Sequence, residues 1–183
     1  MGWFSRKQKI SVDDFGQLLE TYYMQYIDDL DDVENSPSMN YLIESVPEGS
    51  VNVFKVIGEF RILFCLVTVM ALREVASKEQ NEIILPKFMS TAQSTVEEFL
   101  QENETLSSII SDYLEEWDEA IIRSKKIINN STLNNPLYCI SKKASIRCMN
   151  NEESSLNGII FFTETIKTIK VGFHEEMENW KIV

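Results

Sequence analysis

The chain has 183 residues, of which 44% are hydrophobic, and it carries 17 Lys and Arg against 29 Asp and Glu, a formal net charge of −12. This composition predicts one folded acidic domain over residues 1–183 and excludes collagen, low-complexity disorder and a disulfide scaffold. It also argues against a nucleic-acid partner, because binding phosphates requires clustered Lys and Arg. The three cysteines show no regular spacing, so we expect reduced thiols and a cytoplasmic location.

The sequence of the first 46 residues predicts a short N-terminal arm followed by two helices. The arm, residues 1–10, combines the aromatic residues Trp3 and Phe4 with three bases. Apolar residues then recur at three- and four-residue steps, which predicts an amphipathic helix over 11–34. A turn follows at the next proline, and a short helix is expected over 39–46.

A central buried helix is predicted near residues 51–78. The apolar residues of this segment lie nearly all round a helix, which is typical of a helix that is covered on several sides. Its many β-branched residues leave a pair of strands as the rival interpretation. Lys55 and Glu59 are four residues apart, so we expect them to pair on the exposed side of the first turns.

The remaining sequence predicts further helices and completes an all-α, single-domain bundle of six or seven helices. Their expected ranges are 86–102, with Pro86 in the first turn, 105–128, with Thr105 as the cap, 137–148, and about 155–180. The last of these carries an apolar seam at three- and four-residue steps. Because Asn157-Gly158 is a hairpin-like dipeptide before a strand-forming run, a C-terminal β-hairpin is the minority alternative.

The acidic residues are concentrated in two blocks. Residues 11–50 contain ten acids and no base, and residues 81–120 contain ten acids and one base. The first block ends the first predicted helix with Asp28, Asp29, Asp31, Asp32 and Glu34. The second includes Glu115, Glu116, Asp118 and Glu119. Acids at the C-terminal end of a helix meet the negative end of its dipole at about 0.3–0.5 kcal/mol each in low salt, so their clustering indicates a function.

A basic segment separates the acidic regions. Residues 121–150 contain six bases and no acid. Two arrangements fit this pattern. The bases Lys125, Lys126, Lys142, Lys143 and Arg147 either neutralise the neighbouring acids within the fold or form a separate basic face.

We therefore predict a non-enzymatic protein-binding module that holds a basic protein partner on its acidic helical surface. Complementary charge would offset the cost of clustering the acids and would speed association. The most concrete form is an inhibitor or immunity protein that neutralises a toxin. Tyr23 is expected to be the exposed tyrosine of this surface, since Tyr22 and Tyr26 lie on the core stripe. A helical scaffold whose acidity only gives solubility is another interpretation.

A second set of carboxylates suggests metal chemistry. Glu98 and Glu102 are four residues apart on one predicted helix face, and Glu115 and Asp118 are three apart, spacings that let helical carboxylates share one Mg²⁺. The pattern resembles that of the all-α nucleotide pyrophosphohydrolases, which carry E-E-x-x-E on one helix and E-x-x-D on the next. The resemblance implies Mg²⁺-dependent hydrolysis of nucleoside triphosphates. Gln101 stands where that family has an acid, and the one-residue shift to Glu102 turns the ligand by about 100°.

Other chemistry has little support in the sequence. His174 is the single histidine, no serine lies in G-x-S-x-G, and no glycine-rich phosphate loop is present, so we expect no catalytic residue and no cofactor. The longest uncharged apolar run, residues 62–72, would span about 16 Å as a helix, too short to cross a bilayer. Three bases in the arm are too few for stable membrane anchoring.

Overall fold

The computed structural model describes residues 7–30, 37–126, 135–149, 155–177 and 179–183. Within these ranges the chain forms seven helices, and the predicted all-α bundle is confirmed. The helices are α1 (Val12–Leu30), α2 (Pro37–Glu44), α3 (Val53–Val75), α4 (Lys78–Val96), α5 (Leu106–Lys126), α6 (Pro136–Cys148) and α7 (Leu156–Met177). A 3₁₀ turn at Glu97–Phe99 follows α4, and the short strands β1 (Gln8–Ile10) and β2 (Trp180–Ile182) flank the helices.

Helix α3 lies at the centre of the bundle, as predicted. Its N-terminus is capped by Asn52, whose side-chain oxygen accepts a hydrogen bond from the backbone N–H of Lys55 at 3.1 Å. Thirteen of its 23 residues are buried, and it packs against α1, α4, α5, α6 and α7. This all-round burial accounts for its continuous apolar sequence, and the rival prediction of a strand pair is wrong.

Helix α4 begins eight residues earlier than predicted. Ser77 and Gln80 form a capping box, in which the backbone N–H of Gln80 donates to Ser77 Oγ at 3.3 Å and the backbone N–H of Ser77 donates to Gln80 Oε1 at 2.9 Å. The placement of Pro86 in a first turn is therefore wrong, since Pro86 lies inside the helix. The proline leaves the Glu82 carbonyl without its helical donor, but both residues are exposed, so water can solvate that carbonyl.

The C-terminal segment is a long helix, and the alternative β-hairpin is wrong. Gly158 lies in the first turns of α7 and packs directly on α6, where a Cβ atom would clash with Ser145 Oγ. The glycine thus permits a close helix crossing instead of forming a hairpin turn. The predicted seam is buried at Ile159, Phe162, Ile166, Ile169, Phe173 and Met177.

A parallel pair of strands joins the two ends of the described chain. Gln8 pairs with Trp180 and Ile10 with Ile182, and the backbone N–H of Gln8 donates to the Asn179 carbonyl at 2.8 Å. Three residues are too few to show a strand periodicity, so the sequence did not predict this pair. The predicted arm is a strand at residues 8–10, and its residues 1–6, with Trp3 and Phe4, lie outside the described residues.

All seven helices contribute to one hydrophobic core. Its largest fully buried side chains include Phe15, Tyr23, Phe88, Tyr113 and Phe162. Each of these aromatic rings removes a large apolar area from water and so contributes strongly to stability. None of the helices in the described ranges has the length and apolar character that crossing a membrane requires.

Substitution by alanine at two buried helical glycines is expected to change stability in opposite directions. A Cβ atom on Gly58 of α3 would stand 2.5 Å from both Cβ and Cγ of Phe99, whereas one on Gly16 of α1 would meet nothing within 4 Å. We expect Gly58→Ala to lower the free energy of unfolding by about 1–3 kcal/mol through overpacking. Gly16→Ala should raise it by up to about 1 kcal/mol, because alanine favours the helix. Urea denaturation measures both, and equal effects would contradict the contact with Phe99.

Candidate functional site

An apolar groove runs between α1 and α7. It consists of two adjoining cavities of about 300 and 640 Å³, both lined by Tyr26 of α1 and by Thr168 and Ile169 of α7. Helix α3 contributes Phe60 and Phe64 to its lining. We call this feature the α1–α7 groove. Its length and apolar lining suit an extended ligand better than a small molecule.

Seven aromatic rings among the described residues line the α1–α7 groove and form a large part of its floor. The Tyr26 ring stacks on that of Phe64 with centroids 4.6 Å apart, and Phe60 stacks on Phe161 at 5.6 Å. Tyr41 of α2 lines the groove at one end and is 58% exposed. Burial raises the pKa of the Tyr26 hydroxyl, and the neighbouring Cys65 adds to this shift. The groove therefore offers large, rigid, neutral rings to a ligand.

The rim of the α1–α7 groove is acidic. The charged residues that line its two cavities are Asp29, Glu164 and Glu176, and among the described residues no Lys or Arg lines either cavity. Tyr22 donates its hydroxyl hydrogen to Glu176 Oε2 at 3.0 Å, and burial, this hydrogen bond and the carboxylate charge raise the pKa of Tyr22. Glu164 is paired with Lys167 at 2.8 Å. An aromatic floor with an acidic rim favours a ligand that is apolar on one face and basic on its edges.

The first predicted acidic block partly coincides with this rim. Asp28 and Asp29 are exposed in the last turn of α1, which contains no base. Asp29 lines the α1–α7 groove and Asp28 is its neighbour in the chain. The other predicted members, Asp31, Asp32 and Glu34, lie outside the described residues.

The prediction that Tyr23 is the exposed tyrosine is wrong. Its side chain is 0% exposed, and its hydroxyl oxygen lies 2.6 Å from Thr95 Oγ1 of α4. Burial raises the pKa of Tyr23 far above its ordinary value. Helix α1 packs mainly on α4, so its buried stripe is a second set of residues spaced three and four apart, namely Phe15, Leu19, Tyr23, Ile27 and Leu30. Tyr22 and Tyr26, assigned to the core stripe from the sequence, are partly buried and pack against the core as predicted, and they also line the groove.

The second predicted acidic block is not uniform. Glu116 and Glu119 bind Arg123 at 2.7 and 3.0 Å. Glu115 and Asp118 are exposed and make no ion pair with a described residue. Helix α5, which carries all of these residues, packs mainly on α6, whereas α1 packs mainly on α4. The two blocks therefore lie on helices with different neighbours, and neither cavity of the groove includes the second block.

The basic segment mainly neutralises neighbouring acids. Besides Arg123, Lys143 pairs with Asp112, and Arg147 pairs with Glu104 at 2.9 Å. Lys125 and Lys142 are exposed without an ion pair to a described residue. The sequence left two arrangements open. Three of the six bases, Arg123, Lys143 and Arg147, follow the first, in which a base neutralises acids within the fold.

Glu59 forms a buried ion pair, although its sequence spacing predicts an exposed one. Glu59 of α3 is only 2% exposed, and the Nε–H of Arg147 in α6 donates to its Oε2 at 2.9 Å. The hydroxyl of Tyr113 in α5 donates to its Oε1. The predicted surface pair between Lys55 and Glu59 is therefore wrong, because α5 and α6 cover this side of α3. No spacing within α3 signals this partner, which lies 88 residues further along the chain.

The charges of this network are mutually dependent. Burial raises the pKa of Glu59, an effect that Arg147 and Tyr113 only partly oppose. Burial also lowers the pKa of Arg147, but the Glu59 charge and the hydrogen bond to Glu104 outweigh it and hold that pKa above its ordinary value. Burial opposes ionisation of Glu104 as well, yet its hydrogen bond from Arg147 leaves its pKa lowered. Because these groups satisfy one another, we assign the network a structural role.

The predicted metal ligands do not assemble into a site. Helix α4 ends at Val96, Glu98 lies in the 3₁₀ turn and Glu102 lies in the following turn, so the expectation that both share one helix face is wrong. Glu98 instead lies 3.8 Å from the Arg61 guanidinium. Among the described residues, which include Glu115 and Asp118, no group of three or more His, Cys, Asp or Glu side chains is placed to hold a metal ion.

The chain was compared with known protein families, curated proteins and solved structures. No protein-family model, no curated protein and no solved structure matches the chain. The α1–α7 groove, with its aromatic floor and acidic rim, is therefore the candidate functional site on the strength of its own geometry and charge.

Proposed function

We propose that this protein is a binding module that holds a basic, amphipathic helix of a partner protein in the α1–α7 groove. The observation that carries this proposal is the combination of an aromatic floor with a rim at which every charged residue that the structure describes is an acid. Helix-in-groove recognition uses this arrangement, in which the apolar face of the bound helix covers the floor. Its Lys and Arg side chains would then meet Asp29, Glu164 and Glu176.

The dimensions of the groove suit a helix of four to five turns. Its lining residues on α7 run from Ile160 to Met177, which corresponds to about 26 Å along the helix axis. A partner helix of about 17 residues has the same length. Aromatic side chains such as Tyr26 and Tyr41 provide most of the affinity in this kind of site, and the acids steer the partner and fix its orientation.

The acidic end of α1 fits the same proposal. Asp28 and Asp29 stand at the negative end of the helix dipole without a basic residue in the last turn, a placement that costs stability. A basic partner would offset that cost in the complex. The narrower expectation of a toxin inhibitor stays a prediction, and it is tested by whether a partner found to occupy the groove is a toxin.

A synthetic helix provides a direct test. We expect a Leu/Lys amphipathic peptide of about 17 residues to shift the NMR signals of residues in the α1–α7 groove, with an affinity that falls about tenfold between about 50 and 300 mM salt. An isomer with the same composition but no apolar face is the control for charge alone. A Leu/Glu peptide controls for apolar binding. Equal binding of the isomer, or shifts confined to other surfaces, would contradict the proposal.

A further inference from the structure

A second, smaller cavity opens beside α7, between α3, α5 and α6. It has a volume of about 120 Å³, and eleven of its fifteen lining residues are apolar. Leu66, Ile140 and Ile166 form part of its buried wall. Phe173 and Met177 separate it from the α1–α7 groove, since both residues line both spaces. We call it the α3–α7 cavity.

The size and lining of the α3–α7 cavity favour an apolar occupant. A dry cavity of about 150 Å³ with aliphatic and aromatic walls is known to bind benzene, whereas an ordered water needs two to four polar partners. The buried residues named above offer no side-chain polar group. The space therefore fits a short alkyl chain or a single aromatic ring better than it fits water.

The mouth of this cavity carries an unusual group of charges for so acidic a chain. The charged or titratable lining residues Lys167, Lys170, His174 and Glu74 are all exposed. The first three lie on one side of α7 at steps of three and four residues. Lys167 pairs with Glu164, while the ammonium of Lys170 lies 6.0 Å from the ring centroid of Trp117 and makes no ion pair with a described residue. Lys170 is thus placed to meet an anionic group at the mouth.

We propose that the α3–α7 cavity binds a small monoanionic amphiphile, an alkyl or aryl carboxylate whose apolar body is about the size of a benzene ring. The apolar body would occupy the cavity, and the carboxylate would remain at the mouth beside Lys170. Glu74, on the α3 side of the mouth, would repel that carboxylate and so limit the affinity. This site differs from the proposed partner groove in its ligand, a small anion, and in the base Lys170 at its mouth, although the two spaces share Phe173 and Met177.

Hexanoate is a suitable probe, with hexanol and hexylammonium as matched compounds of the same chain length. We expect hexanoate to shift the methyl NMR signals of Met70 and Ile140, which line the cavity but neither part of the α1–α7 groove, and to bind about fivefold more tightly than hexanol. Hexylammonium should bind more weakly than either. Absence of shifts at these methyl groups, or equal affinities for hexanoate and hexanol, would overturn the proposal.

Two exposed substitutions at the mouth should act in opposite directions without disturbing the core. Lys170→Glu is expected to weaken hexanoate binding about fivefold, and Glu74→Gln to tighten it about twofold, while hexanol binding stays unchanged in both variants. Lys78→Glu makes the same charge change as Lys170→Glu on α4, which does not line the cavity. An equal loss of hexanoate affinity in Lys78→Glu would overturn the assignment of Lys170.

Discussion

Replacement of Arg147 by Met is expected to lower the free energy of unfolding by about 3–5 kcal/mol. The substitution keeps a long side chain but removes the guanidinium that pairs with Glu59, whose side chain is almost completely buried. A carboxylate left without a partner in the interior retains its full desolvation cost. Urea denaturation of the two proteins measures the difference.

Arg123→Met is the matched control for this experiment. Arg123 also pairs with two carboxylates, Glu116 and Glu119, but its side chain is 40% exposed. Surface pairs of this kind contribute about 1 kcal/mol or less, so the control should cost far less than Arg147→Met. Similar losses in the two variants would mean that burial of the Glu59 pair has no special importance.

A second variant distinguishes two causes of the stability loss in Arg147→Met, the unpaired buried charge of Glu59 and the loss of side-chain packing. Glu59→Gln in the Arg147→Met background removes the negative charge and leaves an oxygen that still accepts the Tyr113 hydroxyl. We expect it to recover much of the stability lost in Arg147→Met, because the two changes act on one interaction. Additive losses in the double variant would contradict the coupling.

The stability loss in Arg147→Met should also depend on pH. Without the guanidinium, burial holds the pKa of Glu59 still further above the ordinary 4.5 of a glutamate. A raised pKa in the folded state gives stability that is present below pH 4.5 and is lost as pH rises through the folded-state pKa. The deficit relative to the natural protein should therefore be smallest near pH 4.5 and largest near about pH 7. A deficit that does not change with pH would argue against a stranded carboxylate.

Lys55 was the predicted partner of Glu59, and Arg147 is the partner in the structure. This difference shows which contacts of this protein a sequence pattern can predict. The apolar composition of the segment predicted the central helix correctly, because α3 packs against five other helices and buries thirteen of its residues. The partner of Glu59 is set by the packing of α6 on α3, a contact between residues 88 positions apart. The rule that residues four apart on a helix can pair favours Lys55, which is close in sequence. The packing of α6 on α3 places Arg147 against Glu59 instead.

The candidate site shows the same division. The acids at the end of α1 were predicted from their clustering, and the structure places Asp28 and Asp29 on an exposed surface. Tyr23 was assigned to the wrong environment because two interleaved stripes with helical spacing run along this helix, whereas Tyr22 and Tyr26 pack against the core as predicted. Only the docking of α1 on α4 determines that Tyr23 is buried and that Tyr22 and Tyr26 line the groove.

Reversal of the charges at the end of α1 is expected to weaken partner binding while it stabilises the protein. In the double variant Asp28→Lys and Asp29→Lys, bases replace acids in the last turn of α1, where they meet the negative end of the helix dipole favourably. The free energy of unfolding should rise by about 1 kcal/mol. The affinity for the Leu/Lys peptide should fall at least about tenfold at about 50 mM salt, because the rim of the groove loses its complementary charge.

The double variant Glu115→Lys and Asp118→Lys is the matched control, since it makes the same change in net charge at exposed positions of α5 outside the groove. If the peptide recognises the groove, this control should retain affinity within about threefold of the natural protein. If the peptide responds only to the net charge of −12, the two double variants should lose affinity equally. Opposite movement of stability and affinity in the α1 variant also separates a binding defect from a folding defect, because a destabilised protein would lose both together.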